Sequence, residues 1–260
     1  MRIFFIVDEF PFFLPKYLDA VIIGLKGKHE IVGITPLMTP KNHKTLYDYI
    51  KSQMFNLGFA SIVKLGIEYS KLKAKYILFS FNIIKNPAGI SQVAKKHKIK
   101  IINTTNVNDE KYLELLKKKK IDIIVSSCSQ IFKNKLLNIP QTSCINRHSA
   151  LLPAYGGLFP IFQAMIHNEK IVGASVHKMI TEIDKGEILA QQKFKIKKNE
   201  TLFSLYRKSY EVSVEVTLNA IHKLSGKRYK KIKSTTKPSY YSFPSKNDWN
   251  TFFKKHKKII

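Results

Sequence analysis

In the first half of the chain, short apolar runs rich in β-branched and aromatic residues alternate with longer stretches of helical periodicity. Arg2 to Val7, Glu30 to Ile34, Lys100 to Asn103 and Ile121 to Ser126 read as strands, and Tyr76 to Ile84 as a further one. Pro15 to Leu25, a long segment from Lys44 to about Lys73, Gly89 to His97 and Asp109 to Lys120 read as helices. The strand runs are continuously apolar, which predicts burial on both faces. That pattern belongs to an α/β fold with a mostly parallel central sheet and helices on both sides.

After Ile145 the pattern changes. A helix is predicted at about Leu158 to His167, strands near Ile171 to Met179 and Ile188 to Ile196, and a long helix from Thr201 to about Leu224. Glu200 stands at the start of that last helix and Gly226 just past its end. The predicted organisation is one catalytic domain over residues 1–225, Rossmann-like over residues 1–140 and carrying the candidate chemistry over residues 141–225. Residues 226–260 form a short basic, aromatic C-terminal extension, too little chain for an independent core and expected to pack on the main domain.

Composition narrows the classes. The chain has 260 residues, 44% hydrophobic and 12% aromatic, enough to bury a sizeable core. Its formal charge is +27, yet all but four of its 45 basic residues are lysine. Arg2, Arg147, Arg207 and Arg228 leave few of the bidentate forks that read phosphates and bases, so a solvated lysine surface is the leading reading. The field would still attract polyanions, tRNA included. Cys128 and Cys144 lack metal-site spacing, so neither a disulfide framework nor a metal is expected, and a cytoplasmic location fits. Met1 to Val7 is too short for a signal-peptide core, and no uncharged apolar run is long enough for an integral span. For the amphipathic stretch Met54 to Leu65, packing on the sheet is the default and a membrane-surface role the alternative.

The candidate chemistry lies in Asn146, His148 and Asp184. If Ser143 to Asn146 is a strand, Asn146 and His148 stand two residues apart at its C-terminal mouth and point the same way. Ligands bind at such mouths in open α/β sheets. Pro153, Gly156 and Gly157 favour a tight irregular loop next to it. An amide donates to a developing oxyanion without titrating, an imidazole moves a proton near neutral pH, and a carboxylate holds its charge and orientation. Together they suit acyl transfer to an amine without a protein nucleophile. Each piece has a plainer reading: Asn-x-His as a loop cap, Asp184-Lys185-Gly186 as a turn, His177 as a structural histidine in an apolar strand. Ser149 lacks a nucleophile elbow and Cys144 sits on an apolar strand, which argues against a covalent nucleophile.

In combination, Asn146-x-His148-x-x-Leu151-Leu152-Pro153, Tyr155-x-Gly157, Gly173-x-Ser175-x-His177 and Asp184-x-Gly186-x-Ile188 resemble the formyltransferases that use 10-formyltetrahydrofolate. The likeness is strongest from about Ile121 to Ile196. It implies a Rossmann-like formyltransferase fold, 10-formyltetrahydrofolate as co-substrate and no metal. It also implies Asn146, His148 and Asp184 as the catalytic trio, with Asp184 positioning a water and holding the imidazolium. The folate pocket is then implied at Ser127, Cys128, Gln130 and Ile131, and in the loop Ile180, Thr181, Glu182 and Ile183. Supporting roles fall to His177, Ser149, Tyr155 and Gly157.

The acceptor is inferred from departures. Asp8-Glu9-Phe10-Pro11-Phe12-Phe13-Leu14-Pro15 stands where members acting on phosphoribosyl glycinamide carry a glycine-rich phosphate loop. Pro15-x-Tyr17-Leu18-Asp19-Ala20 and Pro160 look more like the methionyl-tRNA and sugar-nucleotide branches. The stretch after Gly226 is short for the tRNA-gripping barrel of the former. The expected acceptor is therefore a small amine, foremost an amino sugar carried on a nucleotide. Charged tRNA is the alternative, and a folate-binding relative with hydrolase activity or no transfer is the third reading. The segment from Pro36 to about Lys73 is expected to pack, cap the acceptor or mediate a homodimer. Tyr240, Tyr241 and Trp249 either stack on a base or fill a groove.

Overall fold

The computed structural model describes residues 1–10, 12–37, 58–226, 232, 234 and 236–260. In chain order the described elements are β1 (Arg2–Asp8), α1 (Leu14–Leu25), β2 (Glu30–Leu37), α2 (Phe59–Ser80), α3 (Ile90–His97), α4 (Glu110–Lys117), β3 (Ile123–Ser127) and α5 (Asn134–Leu137). There follow β4 (Ser143–His148), β5 (Gly156–Gly157), α6 (Pro160–Ile166), β6 (Ile171–Lys178), β7 (Ile188–Lys195), α7 (Leu202–Ser225), β8 (Tyr240–Tyr241) and α8 (Lys246–Lys254).

Six strands form one sheet in the order β2-β1-β3-β4-β6-β7. β2, β1, β3 and β4 pair in parallel, whereas β6 and β7 run antiparallel. The mostly parallel α/β fold is therefore as expected, with an antiparallel edge that carries the second half of the site. Ile3, Phe5, Val7, Ile123, Val125 and Ile145 pack on one face with α1, α3 and α7. Phe4, Ile6, Ile124 and Cys144 pack on the other with α4 and α5. The alternation within each strand is why all these runs are apolar at every position.

Two strand assignments are corrected. Tyr76 to Ile84 is not a strand, because α2 continues to Ser80. Its β-branched and aromatic residues face outward instead, with Ile77 at 54% and Phe81 at 73% exposure, and propensity yields to helical continuation. Lys100 to Asn103 contributes only an isolated parallel bridge from Ile101 to Ile34. Of the helix expected from Lys44, the portion before Gly58 lies outside the described residues, as do Met54 to Asn56 and Leu57 of the amphipathic stretch and Pro11 of the β1 loop.

The extension packs as expected and does more. Ser245 and Asp248 form a capping box that starts α8. Trp249 and Phe252 then bury against Phe162 of α6, with ring centroids 4.6 and 5.0 Å apart. Upstream of α8, β8 pairs in parallel with β5, Gly156 with Tyr240 and Gly157 with Tyr241.

Candidate active site

β4 carries Cys144, Asn146 and His148 on one face and Ile145 and Arg147 on the other. Antiparallel pairing sets His177 of β6 opposite Asn146 and Ser175 opposite His148. The loop after β6 then returns over this face and brings Asp184 to both imidazoles. Asp184 Oδ2 lies 3.6 Å from His148 Nδ1, and Oδ1 lies 3.3 Å from His177 Nε2. Asp184 adopts the left-handed conformation, φ +56°, which aspartate tolerates better than most residues.

Each group is oriented by a neighbour. His148 Nε2 donates to the Tyr155 carbonyl at 2.8 Å, so Nδ1 is the nitrogen left facing Asp184. His177 Nδ1 donates to the Lys178 carbonyl at 2.8 Å, and its buried Nε2 has no aligned hydrogen bond among the described residues. The Gly157 N–H donates to Asp184 Oδ2 at 2.8 Å. Burial pushes the His148 imidazole below its ordinary value, against the opposing pull of Asp184. Burial would raise the Asp184 carboxyl, but His177, His148 and the Gly157 N–H outweigh it and hold it at about 2. At neutral pH a carboxylate thus faces a neutral His148 whose Nδ1 has a free lone pair. Asn146 is half-buried, and its side-chain amide makes no hydrogen bond among the described residues.

The two segments expected to hold folate approach the same face. Cys128 and Met179 both pack on the cluster that contains Cys144. Ser127 is buried, Ile131 is exposed, and Ile180, Thr181, Glu182 and Ile183 are all exposed on their loop. Gln130 does not offer its side chain: its Oε1 accepts from Val107 N at 3.0 Å and its Nε2 donates to the Thr105 carbonyl at 2.9 Å. It shapes the neighbouring loop. Ser149 likewise is engaged away from the trio, accepting from the buried Arg147 guanidinium. It lines a pocket of about 360 Å³ that Tyr155 and Glu169 also line but Asn146, His148, His177 and Asp184 do not.

Sequence reasoning missed the strap that fixes the loop after β4. Tyr155 N donates to Ser239 Oγ at 2.8 Å, Gly156 N to the Ser239 carbonyl at 2.9 Å and Leu158 N to the Tyr241 carbonyl at 2.8 Å. The Tyr155 and Tyr241 rings stack at 5.7 Å and 15°. This loop supplies both the carbonyl that orients His148 and the N–H that holds Asp184. The signal available was Tyr240-Tyr241, two strand-prone residues between turn formers. Gly157 is indispensable to the arrangement: φ is +86°, and a Cβ there would stand 2.1 Å from the Tyr241 carbonyl oxygen. Gly157→Ala is expected to cost at least about 1 kcal/mol of stability, read as a lowered urea midpoint with unchanged slope.

A family model described as Formyl transferase matches residues 73–221, more than half of the chain, including Asn146, His148, His177 and Asp184. The chain belongs to the formyl transferase family. Methionyl-tRNA formyltransferase of Thermotoga maritima is 33% identical over 139 residues, 53% of this chain and 44% of that protein. The bifunctional polymyxin resistance protein ArnA of Wigglesworthia glossinidia brevipalpis is 30% identical over 207 residues, 75% of this chain and 30% of that protein. The chain therefore spans less than half the length of either relative.

Among solved structures, a sugar N-formyltransferase from Shewanella sp FDAARGOS_354 superposes with a TM-score of 0.58 at 21% identity, over 94% of this chain and 77% of that one. An N-formyltransferase from Helicobacter canadensis, solved with folinic acid and dTDP-3-aminofucose, gives 0.59 at 16% identity over 100% and 84%. These likenesses show the formyltransferase fold. No described helix is long and apolar enough to cross a membrane, and no group of potential metal ligands occurs among the described residues.

Proposed function

We propose that this protein transfers a formyl group from 10-formyltetrahydrofolate to the amine of a small acceptor, foremost an amino sugar carried on a nucleotide. The observation that carries it is the convergence of Asn146, His148 and Asp184 at the mouth of β4, with Asp184 Oδ2 3.6 Å from His148 Nδ1. His148 Nδ1 and His177 Nε2 both face the Asp184 carboxylate, at 3.6 and 3.3 Å.

The reduced folate, as co-substrate, would supply the activated formyl carbon. The exposed apolar Ile131, Ile180 and Ile183, beside Cys128 and Met179, fit a flat heterocycle. Asn146, whose amide makes no hydrogen bond among the described residues, donates to the oxygen on which negative charge develops. His148, neutral and fixed through Nε2, accepts the proton of the attacking amine at Nδ1 and returns one to the departing nitrogen. The N–H so formed points at Asp184, which stabilises the imidazolium by charge and orients it. The acceptor nitrogen adds to the formyl carbon to give a tetrahedral intermediate, which collapses as the C–N bond to the donor breaks, giving a formamide and tetrahydrofolate with no net proton consumed. His177, Tyr155 and Gly157 hold the trio. Residues 1–225 act as the catalytic domain and 226–260 complete it through the strap.

The acceptor preference rests on the β1 mouth. Phe12 and Phe13 pack against Phe203 with centroids 5.3 and 4.8 Å apart, filling the place where a backbone phosphate cradle would need glycines. The Helicobacter canadensis neighbour supports the same class through its amino sugar nucleotide. A second reading, formylation of charged initiator tRNA, is favoured by the Thermotoga maritima likeness and the +27 charge. Incubation with 10-formyltetrahydrofolate and a panel of amino sugar nucleotides is expected to give formamide and tetrahydrofolate in equal amounts. Transfer only to methionyl-tRNA would select the second reading, and free formate without any formamide would overturn both.

A further inference from the structure

The strap does not only hold the loop; it carries a ring into the edge of the site. Neighbouring residues of a strand point to opposite faces. Tyr241 turns inward and stacks on Tyr155, so Tyr240 turns the other way and stays 56% exposed although its backbone is paired. Its ring lies across the two glycines of β5. A side chain starting at Gly156 would meet Tyr240 Cδ2 at 3.4 Å and Asp184 Cβ at 3.5 Å, so the ring edge and the carboxylate-bearing residue flank one point. At Gly157 the same ring comes within 3.0 Å of the place a Cβ would occupy. A Cβ at Gly157 would crowd the ring, whereas one at Gly156 would only touch it. Among the described residues the exposed Tyr240 ring has no hydrogen-bond or ring-stacking partner, and large aromatic rings are normally buried or used for contact.

We propose that Tyr240 is an acceptor-binding residue that stacks on the ring bearing the amine to be formylated, and so selects cyclic over open-chain amines. This rests on the formyl-transfer reading above. Because Tyr240 Cδ2 and Asp184 Cβ both lie within 3.5 Å of one point beside Gly156, an amine held at Asp184 brings the atoms attached to it toward the Tyr240 ring. The portion of the acceptor attached directly to the amine therefore meets the ring; a base beyond a diphosphate lies too far off. The apolar C–H face of a pyranose matches the negatively polarised face of the phenol ring, whereas a flexible chain presents no such surface and loses more entropy in covering it.

Steady-state kinetics of Tyr240→Ala, Tyr240→Leu and Tyr240→Phe with a cyclic amino sugar nucleotide and an open-chain amine test this. Tyr240→Ala is expected to raise the KM for the cyclic acceptor roughly tenfold, in line with the worth of an aromatic contact. The KM for 10-formyltetrahydrofolate should hold, and so should the KM for the open-chain amine. Tyr240→Phe should restore the cyclic KM, because it keeps the ring. Tyr240→Leu keeps apolar bulk over the glycines and should still show the defect, which separates stacking from collapse of the strap. An unchanged cyclic KM in Tyr240→Ala, or equal rises for both amines, overturns the inference while formyl transfer by the wild type stands. A wild-type protein that formylates no amine overturns this and the underlying reading together.

Discussion

Replacing His148 with alanine is expected to lower kcat for formyl transfer by about 10²- to 10⁴-fold, the usual worth of a positioned acid–base group. The acceptor and donor KM values should move little, because the imidazole acts on the proton in flight and not on the resting substrates. The ring is buried and its Nε2 is committed to the Tyr155 carbonyl, so only Nδ1 is available to the chemistry. His148→Gln separates the two roles: an amide keeps a donor for the carbonyl but has no basic nitrogen, so it should preserve folding and still lose turnover. Added imidazole restoring some of the rate in the alanine variant would show that the missing function is proton transfer. A variant that retains more than a tenth of wild-type kcat would remove His148 from the mechanism.

The difference between what the sequence disclosed and what it did not follows the range of the interactions. Local signals placed most elements, among them the apolar runs of β1, β2 and β3 and the helix read from Asp109, whose side chain accepts from Tyr112 N at 3.1 Å. Asn146 and His148 were legible as a pair because strand alternation is itself local. Their meeting with Asp184 was available only through resemblance, since the contact spans a long loop, a helix and an antiparallel strand. Tyr76 to Ile84 misled because β-branched and aromatic residues mark strands only where a sheet receives them, and here they continue an exposed helix. The strap stayed hidden for a different reason. Its bonds run from backbone groups of Tyr155, Gly156 and Leu158 to Ser239 and Tyr241, so the strand-prone Tyr240-Tyr241 pair marks a strand but not the loop it joins. Gln130 shows the converse, a polar residue at a pocket position whose amide is spent on the Thr105–Val107 loop.

Asp184→Asn is expected to reduce kcat by roughly 10²-fold or more, by removing the charge that stabilises the imidazolium formed during transfer. The substitution isolates that charge. Asparagine tolerates the left-handed backbone at φ +56°, and its side-chain oxygen can still accept from Gly157 N, so the loop geometry has no reason to change. Stability should respond to pH in a defined direction. The wild-type carboxyl sits at about 2 in the folded protein against its ordinary 3.8, so the unfolded chain binds the proton more tightly. Its contribution, about 2 kcal/mol, is fully present above pH 3.8 or so and is lost as pH falls through about 2. The His148 imidazole, lowered by burial, adds in the same direction, because the unfolded chain takes up its proton first as the solution is acidified. Urea titrations of both proteins from neutral pH to pH 2 should therefore show the variant less stable near neutrality and the gap closing in acid. A gap that is constant with pH would mean that Asp184 acts through shape alone, and with it the electrostatic account of the trio would fall.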